Sequence, residues 1–199
     1  MTVSPTELTA LLTAISFAAG LNVYATVGSL GLLARFHVIA LPPTLQVLAS
    51  WYVIAICAVL FLVEFFADKI PAFDLVWNAL HTFVRIPVAA LIAYHATSNL
   101  PLWEQVVATV LGGAIALGAH GGKMAARAAV TPSPEPASNA ALSLGEDAFV
   151  VFLMWFASKY PCWAAGIVAV CLVIIILLIR WVIRAMKNLF VGAEHVVAH

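Results

Sequence analysis

The chain has 199 residues, of which 64% are apolar and 9% charged, against roughly 45–50% and about 25% in ordinary soluble domains. So few charges cannot coat a water-exposed surface of this size, and a mean hydropathy of +1.08 makes a lipid bilayer the expected solvent. Nine basic and nine acidic side chains cancel, which excludes the basic field that a nucleic-acid partner requires.

Six hydrophobic blocks follow one another along the chain. The first, about Glu7–Phe36, has no basic stretch before it of the kind that marks a secretory leader. It runs without a charge from Leu8 to Ala34, longer than the roughly 20 residues a span requires, and is expected to be a membrane segment broken at Gly20-Leu21-Asn22. The second, Leu45–Ala67, ends at Asp68-Lys69-Ile70-Pro71. The third, Phe73–Thr97, carries Asp74, His81 and Arg85 in its first half. The fourth, Trp103–Val130, holds Gly112, Gly113, Gly118, Gly121 and Gly122, which suggest a second break. Thr131–Asn139 contains three alternating prolines that cannot continue a helix. The fifth block is Leu142–Tyr160; the sixth, Trp163–Lys187, is free of charge until Arg180. Residues 188–199 form a tail. Cys57, Cys162 and Cys171 lie in apolar runs without a paired spacing and read as packing residues.

Six crossings place both termini on one face. Lys69, Lys123, Arg127, Arg180, Arg184 and Lys187 then collect on that face and Arg35 and Lys159 on the other, so the positive-inside rule makes both termini cytoplasmic. An internal repeat underlies the pattern. Phe66-Ala67-Asp68-Lys69-Ile70-Pro71 returns as Phe156-Ala157-Ser158-Lys159-Tyr160-Pro161, an offset of 90 (156 − 66), and Gly20, Ala34-Arg35 and Pro42 match Gly112, Ala126-Arg127 and Pro134 at an offset of 92 (112 − 20). The expected fold is therefore an all-α integral membrane protein, a single membrane domain of about six transmembrane or re-entrant helices. They form two inverted three-helix repeats, 6–97 and 103–187, an arrangement common among transporters.

Ionisable groups inside spans are costly, by about 2.5–3.5 kcal/mol each on insertion scales, and so face the interior in pairs. Helical spacing aligns several of them on single faces. Glu64 and Asp68 share one face of the second block. Asp74, Asn78, His81 and Arg85 form a stripe on the third, with Arg85 expected beside Asp74 or Glu64. His120, Lys123 and Arg127 form a basic stripe on the fourth, and Glu146 and Asp147 open the fifth. The expected polar site comprises Asn22, Glu64, Asp68, Asp74, His81, Arg85, Lys123, Arg127, Glu135, Glu146 and Asp147. Glu64, Asp68, His81 and His120 are metal-ligand types, but no HExxH or paired-histidine motif supports a metal. No GxSxG elbow supports a nucleophile, and the glycines of the fourth block follow no strand, so a dinucleotide site is rejected. Neither catalysis nor a cofactor is expected.

Gly20-Leu21-Asn22, Glu64–Pro71, Asp74, Trp77, His81-Thr82 and Arg85, with Lys123, Arg127, Ser133–Asn139, Ser143, Glu146-Asp147 and Pro161, resemble the uncharacterised membrane family called domain of unknown function 4126. The resemblance runs from about Thr6 to Arg180. Two departures are Asn78, where the family pattern has an acid, and Ile86, which intervenes between Arg85 and Pro87. It implies a compact multi-span protein of the bacterial cytoplasmic (inner) membrane and supplies no activity. A small transporter or channel-like permeation protein for an unknown small solute or ion is the expected function. The alternative is a membrane module that binds lipid headgroups or assembles partner proteins. A homo-oligomer is compatible with either.

Overall fold

The computed structural model describes the backbone of residues 4–130 and 136–197 and the side chains of residues 4–70, 76–127, 129 and 140–185. The described residues form α1 (Pro5–Leu21), α2 (Val23–Arg35), a 3-10 helix (Pro43–Ala49), α3 (Trp51–Ala67), α4 (Pro71–Ala96), α5 (Leu102–Val130), α6 (Pro136–Lys159) and α7 (Pro161–Val197), with no strand among them. Local chemistry sets the helix starts. Ser4 Oγ accepts from the Glu7 amide at 3.2 Å while the Glu7 carboxylate accepts from the Ser4 amide at 2.9 Å, a capping box that opens α1. Ser50 Oγ accepts from the Val53 amide and opens α3. Pro43, Pro71 and Pro161 each occupy a first helical position, where the missing N–H costs nothing.

Among the described residues four helices, α4 to α7, are long and apolar enough to cross a bilayer, and the 3-10 helix with α3, bent by 59° at Ser50, makes a fifth if the bent pair is one span. Length and composition thus give four to five candidate spans where about six transmembrane or re-entrant helices are expected from the sequence, and the first block is the reason. Asn22 stands alone between α1 and α2 in extended backbone, φ −146° and ψ 106°. Its amide closes α1 by donating to the Ala18 carbonyl, and its Oδ1 opens α2 by accepting from the Ala25 amide at 2.9 Å. One residue thus satisfies one orphaned group at the end of α1 and one at the start of α2.

The helices on either side of Asn22 run in opposite senses. α1 lies parallel to α5, with Ser16 beside Gly112 and Gly20 against Ala116. α2 lies antiparallel to α3, with Gly28 facing Cys57, Gly31 facing Leu48 and Ile54, and the Arg35 guanidinium 5.0 Å from the Trp51 ring centroid. α3 is itself parallel to α5. Thr44, just before it, donates to the His95 carbonyl at the α4–α5 turn, and Asp68, just after it, reaches Lys123 far along α5. The chain therefore enters through α1, turns at Asn22 and returns through α2 toward the face it came from. The expected second break is absent: α5 is continuous through Gly112, Gly113, Gly118, Gly121 and Gly122. Those glycines permit close approach instead of a kink, Gly112 to Ala93 and Gly122 to Ile175.

Both copies of the repeated string sit at equivalent junctions. Phe66–Pro71 links the end of α3 to the start of α4, and Phe156–Pro161 links α6 to α7, each proline opening the next helix. Polarity is inverted relative to a soluble protein. Phe83 is 81% exposed while Arg85, two residues later, is fully buried, the pattern of a surface solvated by lipid.

The α1–α5 crossing gives a direct test. A Cβ on Gly20 would lie 2.8 Å from the Ala116 Cα and closer still to its carbonyl oxygen, whereas nothing stands within 4 Å of one on Gly166. Gly20→Ala should lose about 1–3 kcal/mol to overpacking, and Gly166→Ala should gain about 0.5–1 kcal/mol from helix propensity. Thermal unfolding in detergent should place the first below wild type and the second at or above it; identical melting would contradict the crossing.

Candidate functional site

The helix faces that carry charge converge on one interior region. Glu64 lies on the buried face of α3 in its last turn and Asp68 follows α3 directly; Arg85 projects from α4, Lys123 and Arg127 from α5, and Glu146 from α6. Glu64, Asp68, Arg85, Lys123 and Arg127 are buried. Arg85 Nη2 donates to Glu64 Oε1 in a very short contact. Lys123 Nζ lies 3.1 Å from Asp68 Oδ2, 3.1 Å from Glu146 Oε2 and 3.6 Å from Glu64 Oε1. Arg127 Nη2 lies 2.9 Å from Asp68 Oδ2 and 3.4 Å from Glu146 Oε2, and Ser143 Oγ donates to Asp68 Oδ2 at 3.3 Å. Three cations and three carboxylates thus alternate in a neutral set, the condition under which buried charges are tolerated.

A chain of hydrogen bonds extends the set. The Arg85 guanidinium has only donors, so His120 Nδ1, 2.9 Å from Nη1, accepts. His120 Nε2 then bears the proton and faces Thr82 Oγ1 at 2.7 Å, and Thr82 donates onward to the Asn78 carbonyl at 3.2 Å. His81 has the other tautomer: Nδ1 faces the Trp77 carbonyl at 2.8 Å and must donate, leaving Nε2 to accept from the Tyr24 hydroxyl at 2.9 Å. Asp147 pairs with an amide and not with a cation. Its Oδ1 accepts from Asn22 Nδ2 at 2.8 Å, while its buried Oδ2, like Glu64 Oε2, has no hydrogen-bond partner among the described residues. Asn22 therefore joins the turn between α1 and α2 to α6.

Of the residues expected from the sequence, Glu64, Asp68, Arg85, Lys123, Arg127 and Glu146 form the ionic set, Asn22 and Asp147 form an adjoining pair, and His81 stands beside them on Tyr24. The Asp74 side chain and Glu135 lie outside the described residues. Arg85, expected beside Asp74 or Glu64, is bonded to Glu64. His120 and Asn78 were legible on the helical stripes but not as part of the site, and Tyr24 carried no signal beyond its place two residues after Asn22. Among the described residues no group of three or more His, Cys, Asp or Glu side chains is placed to hold a metal ion.

Long helices with apolar exteriors around a charged interior define a polytopic α-helical membrane protein. The chain belongs to the family described as Domain of unknown function (DUF4126), whose model matches residues 9–181. No curated protein and no solved structure matches it.

The pairing of Arg85 with Glu64 has a measurable consequence. Arg85→Ala leaves a buried carboxylate without its guanidinium, which costs about 3–5 kcal/mol, and should sharply lower folded yield in membranes. Adding Glu64→Gln removes the stranded charge and should recover part of it. Full yield of Arg85→Ala alone would mean that the pair contributes nothing to the fold.

Proposed function

We propose that the chain is a small permeation protein, a transporter or channel-like path for a polar solute or ion, and not an enzyme. One observation carries this reading. A cleft of about 440 Å³ between α1 and α5 opens near the α4–α5 turn and reaches inward to Ser16 and Gly112. Beyond its floor stand the small residues Ala19, Gly20, Ala89 and Ala116, all fully or almost fully buried. His120 and Lys123, one and two turns further along α5, belong to the charged set. An open cleft, a thin layer of small residues and a sealed polar region in line along one helix pair suit a path that is closed at one end. Backbone breaks near midplane are also where transporter sites form, and Asn22 supplies one.

The fold-back of α1 and α2 changes the expected topology. Five crossings put the start of α1 and the end of α7 on opposite faces, not on one. Lys69, Lys123, Arg127, Arg180 and Arg184 lie toward the α5–α6 connection, and Arg35 and Lys159 toward the opposite face. The positive-inside rule therefore favours a cytoplasmic α5–α6 connection and an external start of α1, in a bacterial inner membrane. The paired junctions and the opposed directions of α3 and α6, and of α4 and α7, support an inverted duplication centred on those helices. The second reading, a membrane module that binds headgroups or assembles partners, is favoured by the full burial of Glu64 and Arg85.

Cysteine labelling and flux test the two parts. In a background with Cys57, Cys162 and Cys171 replaced by alanine, Ser4→Cys should react with an impermeant reagent on intact cells, and Ser138→Cys only after permeabilisation; protection of both on intact cells would contradict the fold-back. Purified protein in liposomes should dissipate a gradient of at least one solute in a panel of inorganic ions and small organic cations. Folded protein that moves none of them would favour the module.

A further inference from the structure

The cleft between α1 and α5 lies outside the charged set, and its chemistry is one-sided. Its walls are apolar, chiefly Leu8, Leu12, Val107, Leu111 and Ile115, and Glu104 is its one ionisable lining residue. Four hydroxyls line it, those of Thr9, Thr13, Ser16 and Thr97, and three of them have protons already committed. Thr9 donates to the Pro5 carbonyl at 2.9 Å, Thr13 to the Thr9 carbonyl at 2.9 Å and Thr97 to the Ala93 carbonyl at 2.8 Å. Those three offer only lone pairs to the cleft, while Ser16 at its floor keeps a hydroxyl that can accept or donate. The Glu104 carboxylate accepts as well, and Trp103 at the rim adds an aromatic face. A helix start alone accounts for an acid in the first turn of α5, but not for its placement on the side that faces the cleft. A volume of about 440 Å³ falls within the usual range for small-molecule sites.

We infer that this cleft binds a small amphipathic organic cation, its ammonium group on Glu104 and its apolar body between the leucines of α1 and the aliphatic face of α5. A lining rich in acceptors, with one carboxylate and no cation, suits N–H donors bearing positive charge, and the apolar walls suit a hydrocarbon or aryl body. A lipid tail would use the walls and leave the carboxylate unmatched. The site stands whether or not the protein transports, because binding is read at equilibrium.

The test uses full-length protein in nanodiscs and radiolabelled 4-phenylbutylammonium, with binding to empty nanodiscs subtracted. Binding should be saturable and should not be displaced by the neutral alcohol 4-phenylbutanol at equal concentration. Glu104→Gln should weaken it by about tenfold or more, the loss of one charge-assisted hydrogen bond. Glu104 is partly exposed, so melting should stay at the wild-type temperature. Leu111→Trp, which fills the cleft from a lipid-exposed position, should abolish binding without changing the melt. Equal competition by the alcohol, or unchanged affinity in Glu104→Gln, would overturn the proposal and leave an apolar groove for lipid. Absence of saturable binding would overturn it as well.

Discussion

Charge burial is the constraint on which the rest of this fold depends. A carboxylate or guanidinium in a bilayer interior has no water to solvate it, so it persists only where other protein groups replace that solvation. Here Glu64, Asp68 and Glu146 meet Arg85, Lys123 and Arg127, and no single helix supplies both signs in balance. The set forms only when α3, α4, α5 and α6 come together in one register. Lipid-facing surfaces confer little preference among helix pairings, since leucine on leucine resembles leucine on lipid. Ionic pairing supplies the specificity that apolar contact lacks.

Small residues and one asparagine then decide how the elements approach. Gly20, Ala116 and Gly112 let α1 and α5 cross with backbones in contact, bringing Asn22 to the edge of the charged set. Asn22 ends one helix, caps the next and holds Asp147, so the turn between α1 and α2 is fastened to α6. The result is asymmetric along the membrane normal. An open apolar cleft lies toward the start of α1, and a sealed charged region lies toward the end of α5.

The sequence made much of this legible. A spacing of four residues placed Glu64 with Asp68 and Lys123 with Arg127 on single helix faces, and those faces are the ones that meet. The break at Gly20-Leu21-Asn22 was visible because glycine and asparagine interrupt an apolar run. Hydropathy has no direction, however, so a helix pair that turns back at Asn22 reads the same as one that crosses. Glycine-rich α5 looked broken for the same local reason, while its continuity depends on Ala93 and Ile175 from other helices filling the space. Partner choice was likewise tertiary: nothing local told Arg85 to select Glu64, or brought Tyr24 to His81.

Accessibility of Ser143 tests most directly whether the ionic set seals the interior. Ser143 is fully buried and donates to Asp68, so a cysteine there reports on closure from beneath the network. In a background with Cys57, Cys162 and Cys171 replaced by alanine, Ser143→Cys in nanodiscs should react very slowly with a membrane-impermeant maleimide. Adding Arg127→Gln should speed the reaction many-fold while the protein stays folded. Rapid labelling of Ser143→Cys with the network intact, or equal rates with and without Arg127→Gln, would contradict a seal made by these charges.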